Sequence, residues 1–149
     1  MQVGEICNRA VVTILKGASI LEVVREMRTD HIGDVIVTDR VDGTEKPIGI
    51  ITDRDIVVEL LAKKIDLDTV NVADVMSLTL FTAQPDAELF DTLRFMSTEG
   101  IRRVPLVDEA GALYGILSLN DITAVLTNEL SLITNIATRQ FERERSVRT

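Results

Sequence analysis

The sequence has few thiols, imidazoles and aromatic rings. One cysteine (Cys7) and one histidine (His31) stand among 149 residues, so no internal disulfide can form and no Cys/His zinc site can be assembled. Both residues read as packing or surface positions. Tryptophan is absent, and Phe81, Phe90, Phe95, Phe141 and Tyr114 are the only aromatic residues, too few to build stacking platforms for single-stranded nucleic acid. A pocket for a base would therefore have aliphatic walls. Positive charge is also in short supply: 16 Lys and Arg against 24 Asp and Glu give a net charge of -8, which repels phosphate backbones and argues against a nucleic-acid partner. No apolar run approaches the roughly 18 to 20 residues of a membrane span. Residues 1–10 lack the basic start and apolar centre of a signal peptide, so a cytoplasmic protein with no membrane partner is expected. Catalytic constellations are missing as well. There is no Cys/His pair, and Asp53 and Asp55 have no partner that would separate their pKa values, so no enzyme is expected.

What the chain does have is an internal copy of itself. An offset of 69 aligns residues 3–39 with 72–108 without a gap and pairs Val3/Val72, Thr13/Thr82, Ala18/Ala87, Arg25/Arg94, Met27/Met96, Thr29/Thr98, Ile32/Ile101, Val35/Val104 and Asp39/Asp108 as identities. Beyond a hairpin that is three residues longer in the first copy the offset becomes 66, and Gly49, Ile50, Asp55, Ile56 and Leu60 meet Gly115, Ile116, Asp121, Ile122 and Leu126. A duplication of this length makes two small units that share the task of burying apolar surface.

Each copy reads as β-α-β-β-α. A short strand (11–15; 79–83) precedes a helix whose apolar stripe is Ile20, Leu21, Val23, Val24 and Met27 in one copy and Leu89, Phe90, Leu93 and Met96 in the other. Two β-rich runs follow across a turn-rich hairpin, 35–38 and 48–51, then 104–107 and 113–117. Helices begin after Thr52 and Ser118, each a candidate N-cap. Short lead-in helices are expected near residues 4–6 and 73–76, and residues 63–71 read as a polar surface linker. The expected units are residues 1–66, 67–128 and a helical extension, 129–149. In the extension Leu126, Leu130, Ile133, Ala137 and Phe141 continue the helical stripe, a face that wants a partner, and a homodimer is expected there.

The segments with chemical content are Gly49-Ile-Ile-Thr-Asp-Arg-Asp-Ile56 and Gly115-Ile-Leu-Ser-Leu-Asn-Asp-Ile122. A hydroxyl at a helix N-terminus can help hold a phosphate, and a carboxylate three residues on, on the same face, suits a ribose diol. Thr52, Asp55, Ser118 and Asp121 thus describe a nucleotide site, or else two pairs of helix caps; residue type alone serves both readings. Arg54, Arg102 and Arg103 are the candidate phosphate cations, with surface ion pairs as the alternative. The copies differ here, since Gly33-Asp34 match Arg102-Arg103 and Asn120 matches Arg54. Two inequivalent sites are expected, and Leu119 and Asn120 mark the second as the weaker.

The repeat length, the β-α-β-β-α order, Gly49-Ile-Ile-Thr-Asp-Arg-Asp-Ile56 and Gly100-Ile-Arg-Arg-Val-Pro-Leu-Val-Asp108 together resemble tandem cystathionine-β-synthase (CBS) domains, the Bateman module, over roughly residues 1 to 130. That resemblance implies an α+β fold of two repeats related by a pseudo-two-fold axis, with two clefts. It implies a regulatory adenine nucleotide (AMP, ADP or ATP, with NAD or S-adenosylmethionine as further possibilities), no catalytic cofactor, and action on an unidentified protein in trans. Thr52 and Ser118 would contact phosphate, Asp55 and Asp121 would hold ribose, and adenine would lie against the first strand of its repeat and the turn at Ile32 or Ile101. A ligand-free dimerising module is the competing expectation.

Overall fold

The computed structural model describes residues 1–147. The first copy opens with α1 (Val3–Ile6), β1 (Thr13–Leu15) and α2 (Ile20–Asp30). Ser19 starts α2 with a capping box, its backbone N–H donating to Glu22 Oε2 at 2.7 Å. Burial of Ile20, Val23 and Met27 fixes which face of α2 turns inward. The helix ends at His31, whose φ of 53° lies in the left-handed region, and its counterpart after the second helix is Gly100 at 66°. The lone histidine is thus a helix terminus built where the other copy uses glycine.

Strands β2 (Asp34–Val41) and β3 (Thr44–Thr52) form an antiparallel hairpin, longer at both ends than the apolar runs suggest. Its turn, Asp42-Gly43, has positive φ at both residues, as a tight two-residue hairpin requires. Strand β1 joins β2 in parallel. After β3 the chain makes α3 (Asp53–Asp55), which widens into π-helical turns over Ile56–Leu61 where a regular helix is expected. That stretch opens with Ile56, Val57 and Val58, β-branched residues that crowd the preceding turn of an α-helix. A 3-10 turn (Leu67–Thr69) lies within the linker, and Leu67 and Val70 pack against the first core rather than merely crossing the surface.

The second copy holds α4 (Val72–Val75), α5 (Leu89–Glu99), β4 (Arg103–Val107), β5 (Leu113–Ser118) and α6 (Leu119–Val147). The strand expected over residues 79–83 shrinks to a single parallel bridge between Ala83 and Leu106. The cause is Pro105. In the first copy Ile36 N–H donates to Val12 O at 3.2 Å; Pro105 occupies the matching position and has no N–H to give. The bond one step along survives, Ala83 N–H to Pro105 O at 3.1 Å.

Two apolar cores result, and the lead-in helices are exchanged between them. Val3 of α1 is buried with Leu89, Met96, Val104, Leu106, Leu117 and Ile122, whereas Val72 of α4 is buried with Ile20, Val23, Val35, Val37 and Ile51. The supporting hydrogen bonds obey the repeat: Val3 N–H donates to Ala87 O and Val72 N–H to Ala18 O; Asn8 exchanges two bonds with Ile116, and Ser77 two with Ile50. Each half is completed by the start of the other, which is pseudo-two-fold symmetry at the level of single bonds. Two glycines permit this approach. A Cβ on Gly49 would lie 2.8 Å from Ser77 O and 2.7 Å from Met76 Sδ; one on Gly115 would lie 2.9 Å from Asn8 O and 2.8 Å from Cys7 Sγ. The lone cysteine is the counterpart of Met76 and packs as that residue does, and burial pushes its thiol pKa up.

Candidate functional site

Both hydroxyl-carboxylate pairs fold as reciprocal caps. Asp55 Oδ2 accepts from Thr52 N–H at 2.8 Å and from Thr52 Oγ1 at 2.9 Å, and Asp55 N–H donates back to Oγ1 at 3.2 Å. Asp121 Oδ2 accepts from Ser118 N–H at 2.8 Å and Oγ at 2.6 Å, with the same 3.2 Å return bond. The capping reading of these residues is therefore realised in full. It does not exhaust them: every one of these bonds to a carboxylate uses Oδ2, so Oδ1 lies outside the cap.

Strand register sets a charged residue beside each cap. Asp34 pairs with Thr52 at the end of the β2-β3 hairpin, and Arg103 pairs with Ser118 at the end of β4-β5. The two charged residues are counterparts under the repeat, and they meet as an ion pair: Arg103 Nε lies 2.8 Å from Asp34 Oδ1. Burial pushes the Asp34 carboxyl above its ordinary range, the Arg103 guanidinium pulls it down, and the Asp53 carboxylate adds to the upward push. A side chain exposed by only 14% carries the negative end of this pair, where the surroundings screen charge poorly.

A cleft of about 180 Å³ opens beside this bridge. One wall is aliphatic, made by Val11, Val12, Ile32 and Ile36 of the first copy; the other carries Ser118, Asp121 and Arg103 of the second, with Asp34 between them. Ile32, placed by sequence reasoning with the site of its own repeat, faces instead the Ser118–Asp121 pair of the other. The exchange of lead-in segments explains this, because it turns the entry to β1 toward the second half. A recess of about 20 Å³ continues past Arg103 and Ser118 to Arg102, Leu119 and Asn120. Arg102 and Arg103 thus gather at the cap that lacks a cation of its own, while Arg54, exposed beside Asp53, belongs to the Thr52 cap. Ile101 packs against the second core. Asp34 is the residue sequence reasoning did not count as a site residue. Its signal was present in the repeat alignment, which sets an acid against a base at one position. Among the described residues no cluster of three His, Cys, Asp or Glu side chains could hold a metal ion, and no helix is long and apolar enough to cross a membrane.

A duplicated β-α-β-β-α unit with exchanged lead-in helices and a cleft between the halves defines a class, and comparison with known proteins agrees. The CBS domain model matches twice, over residues 3–62 and 72–128, and the chain belongs to the CBS domain family. It is 36% identical over 125 residues to protein MK0525 of Methanopyrus kandleri, a match covering 84% of this chain and 62% of that protein. Among solved structures it resembles the CBS domain pair of protein MJ0100, in complex with 5-methylthioadenosine and S-adenosyl-L-methionine. The TM-score is 0.74 at 25% identity, covering 87% of this chain and 98% of the other. CBS domain protein PAE2072 from Pyrobaculum aerophilum, complexed with AMP, matches with a TM-score of 0.72 at 26% identity, covering 81% and 89%.

Proposed function

We propose that this chain is a regulatory module that binds an adenine nucleotide or related adenosyl ligand in the cleft between its repeats and acts on a partner protein in trans. The observation that carries the reading is the composition of the cleft. Aliphatic Val11, Val12, Ile32 and Ile36 face a hydroxyl, a carboxylate and an arginine on the opposite wall, which suits a flat apolar base, a ribose diol and a phosphate in that order. Asp121 would accept from the ribose hydroxyls through Oδ1, Ser118 and the first turn of α6 would meet the phosphate, and the side chains of Arg102 and Arg103 would add charge. Thr52, Asp55 and Arg54 would serve the second cleft, with Ile101 as the counterpart of Ile32. The ligands of the MJ0100 and PAE2072 structures support this ligand class. Isothermal titration with AMP, ADP, ATP, NAD and S-adenosylmethionine, on the protein and on Asp121→Ala, tests the reading. Saturable binding without turnover is expected, with Asp121→Ala removing the site in this cleft; no binding by any of the five overturns it.

A second reading, a ligand-free module that works by pairing with another copy of itself, is favoured by one observation. Leu130, Ile133, Ile136 and Phe141 on α6 are each more than 60% exposed, an apolar face with no cover in the single chain.

A further inference from the structure

The proposed nucleotide cleft contains a competitor for the ligand's own phosphate. Arg103 stands at the Ser118 cap by strand register and lines both the cleft and its recess. It is therefore, with Arg102, a cation at the place where a 5′-phosphate would go. Its Nε is already ion-paired with Asp34, 2.8 Å from Oδ1. A guanidinium grips a phosphate best side-on, through two parallel N–H donors. With the Asp34 carboxylate standing against Nε, an incoming anion that takes this edge must displace it.

The two ends of the axis also differ in charge. At the Thr52 end lie Asp34, its strand neighbour, and Asp53, whose carboxylate oxygen sits 3.1 Å from where a Cβ on Gly33 would be. The counterpart positions at the Ser118 end are Arg103 and Leu119, and Arg102 stands where Gly33 stands. Asp34 and Asp53 thus stand at the Thr52 cap, with Arg54 exposed beside Asp53, and Arg102 and Arg103 at the Ser118 cap. This reverses the ranking suggested by Leu119 and Asn120 in the sequence.

We propose that the Ser118 cap is the phosphate-accepting end of the module and that Asp34 gates it, holding Arg103 until a phosphorylated ligand takes its place. A nucleotide must exchange one ion pair for another on entry; a nucleoside such as adenosine or 5-methylthioadenosine enters without disturbing the bridge. Asp34 thereby lowers the protein's preference for phosphorylated over unphosphorylated adenosyl ligands. It is a specificity residue set by this chain's own asymmetry, since two arginines or two acids at the pair of positions could not form the bridge. The proposal rests on the cleft being the adenosyl site.

The test is titration calorimetry of the full chain with AMP and with adenosine, on the wild type, Asp34→Asn, Asp34→Ser and Arg103→Gln, each variant first shown by circular dichroism to keep the wild-type fold. Both Asp34 variants are expected to raise the ratio of AMP to adenosine affinity by roughly two- to fivefold, the worth of one ion pair at a partly exposed site. Arg103→Gln is expected to bring the ratio toward one while adenosine binding persists. An unchanged ratio in the Asp34 variants, with adenosine still bound, overturns the gate and leaves the adenosyl site standing. Failure of both ligands to bind the wild type overturns the site and the gate together.

Discussion

Asp34 and Arg103 occupy the same position in the two copies of a duplicated unit, and they are joined to each other, Arg103 Nε to Asp34 Oδ1 at 2.8 Å. A residue pair related by a two-fold axis can form an ion pair across it only if the duplication has diverged there into opposite charges. The bridge therefore marks the place where the symmetry of the backbone stops and the asymmetry of the two clefts begins.

That bridge has a pH signature. Burial raises the Asp34 pKa above the ordinary value despite Arg103. Between the unfolded and folded pKa values the native state therefore binds more protons than the unfolded chain, and stability from this group declines as pH rises through that window. Asp34→Asn removes the titration. In urea melts at pH 4 and pH 7, the stability of Asp34→Asn relative to wild type is expected to be more favourable at pH 7. A difference that is the same at both values, or larger in the opposite sense, contradicts this account of Asp34.

The glycines at the exchanged segments predict a pair of equal effects. Gly49→Ala drives a Cβ against Ser77 O and Met76 Sδ, and Gly115→Ala drives one against Asn8 O and Cys7 Sγ. Overpacking against backbone typically costs about 1–3 kcal/mol. Gly17, with open space around its Cβ position, is the control. Urea midpoints should fall for the first two substitutions and hold or rise for Gly17→Ala; an unaffected Gly49→Ala would show that the Ser77 contact is loose.

The caps predict a stability cost independent of any ligand. Thr52→Ala and Ser118→Ala each remove a hydroxyl that accepts a backbone N–H and donates to a carboxylate, and loss of such a cap costs about 0.5–2 kcal/mol. Chemical denaturation in nucleotide-free buffer measures it. Should Ser118→Ala be neutral without ligand yet weaken nucleotide binding, the hydroxyl serves the ligand and not the helix.

How far the sequence reveals this molecule depends on the scale of the feature. Helices α2 and α5 were legible because their apolar spacing is local. The caps were legible for the same reason. The second-copy strand was not: its loss stems from Pro105, a residue on the neighbouring strand, and a missing N–H matters only once the partner is known. The composition of the cleft was hidden more deeply. Ile32 meets Ser118 and Asp121 because α1 and α4 change places, and no local signal records which half a four-residue helix will complete. The Asp34–Arg103 bridge needs the alignment of the copies and the axis between them; one alone shows only an acid that replaced a base.

The extension of α6 predicts an oligomeric state. Leu130, Ile133 and Phe141 lie along one side of the helix and Ile136 flanks them, all largely exposed. Glu129, Ile136 and Arg143 recur at seven-residue intervals, on one flank of that stripe. An antiparallel pairing of two copies centred on Ile136 sets Glu129 of each against Arg143 of the other, so the charges complement one another only if the partner is the same helix reversed. Light scattering on the eluting protein should give a dimer. Leu130→Glu with Ile133→Glu should give a monomer whose circular dichroism keeps the strand and helix signals of the cores, because both positions are largely exposed and belong to neither buried cluster. Glu129→Arg should weaken the dimer, and Glu129→Arg with Arg143→Glu should restore it. Restoration separates a paired helix from an apolar surface that merely aggregates, since swapping two charges leaves hydrophobicity unchanged. A monomeric wild type, or a double swap no better than the single, removes the dimer and leaves the exposed face for a different protein.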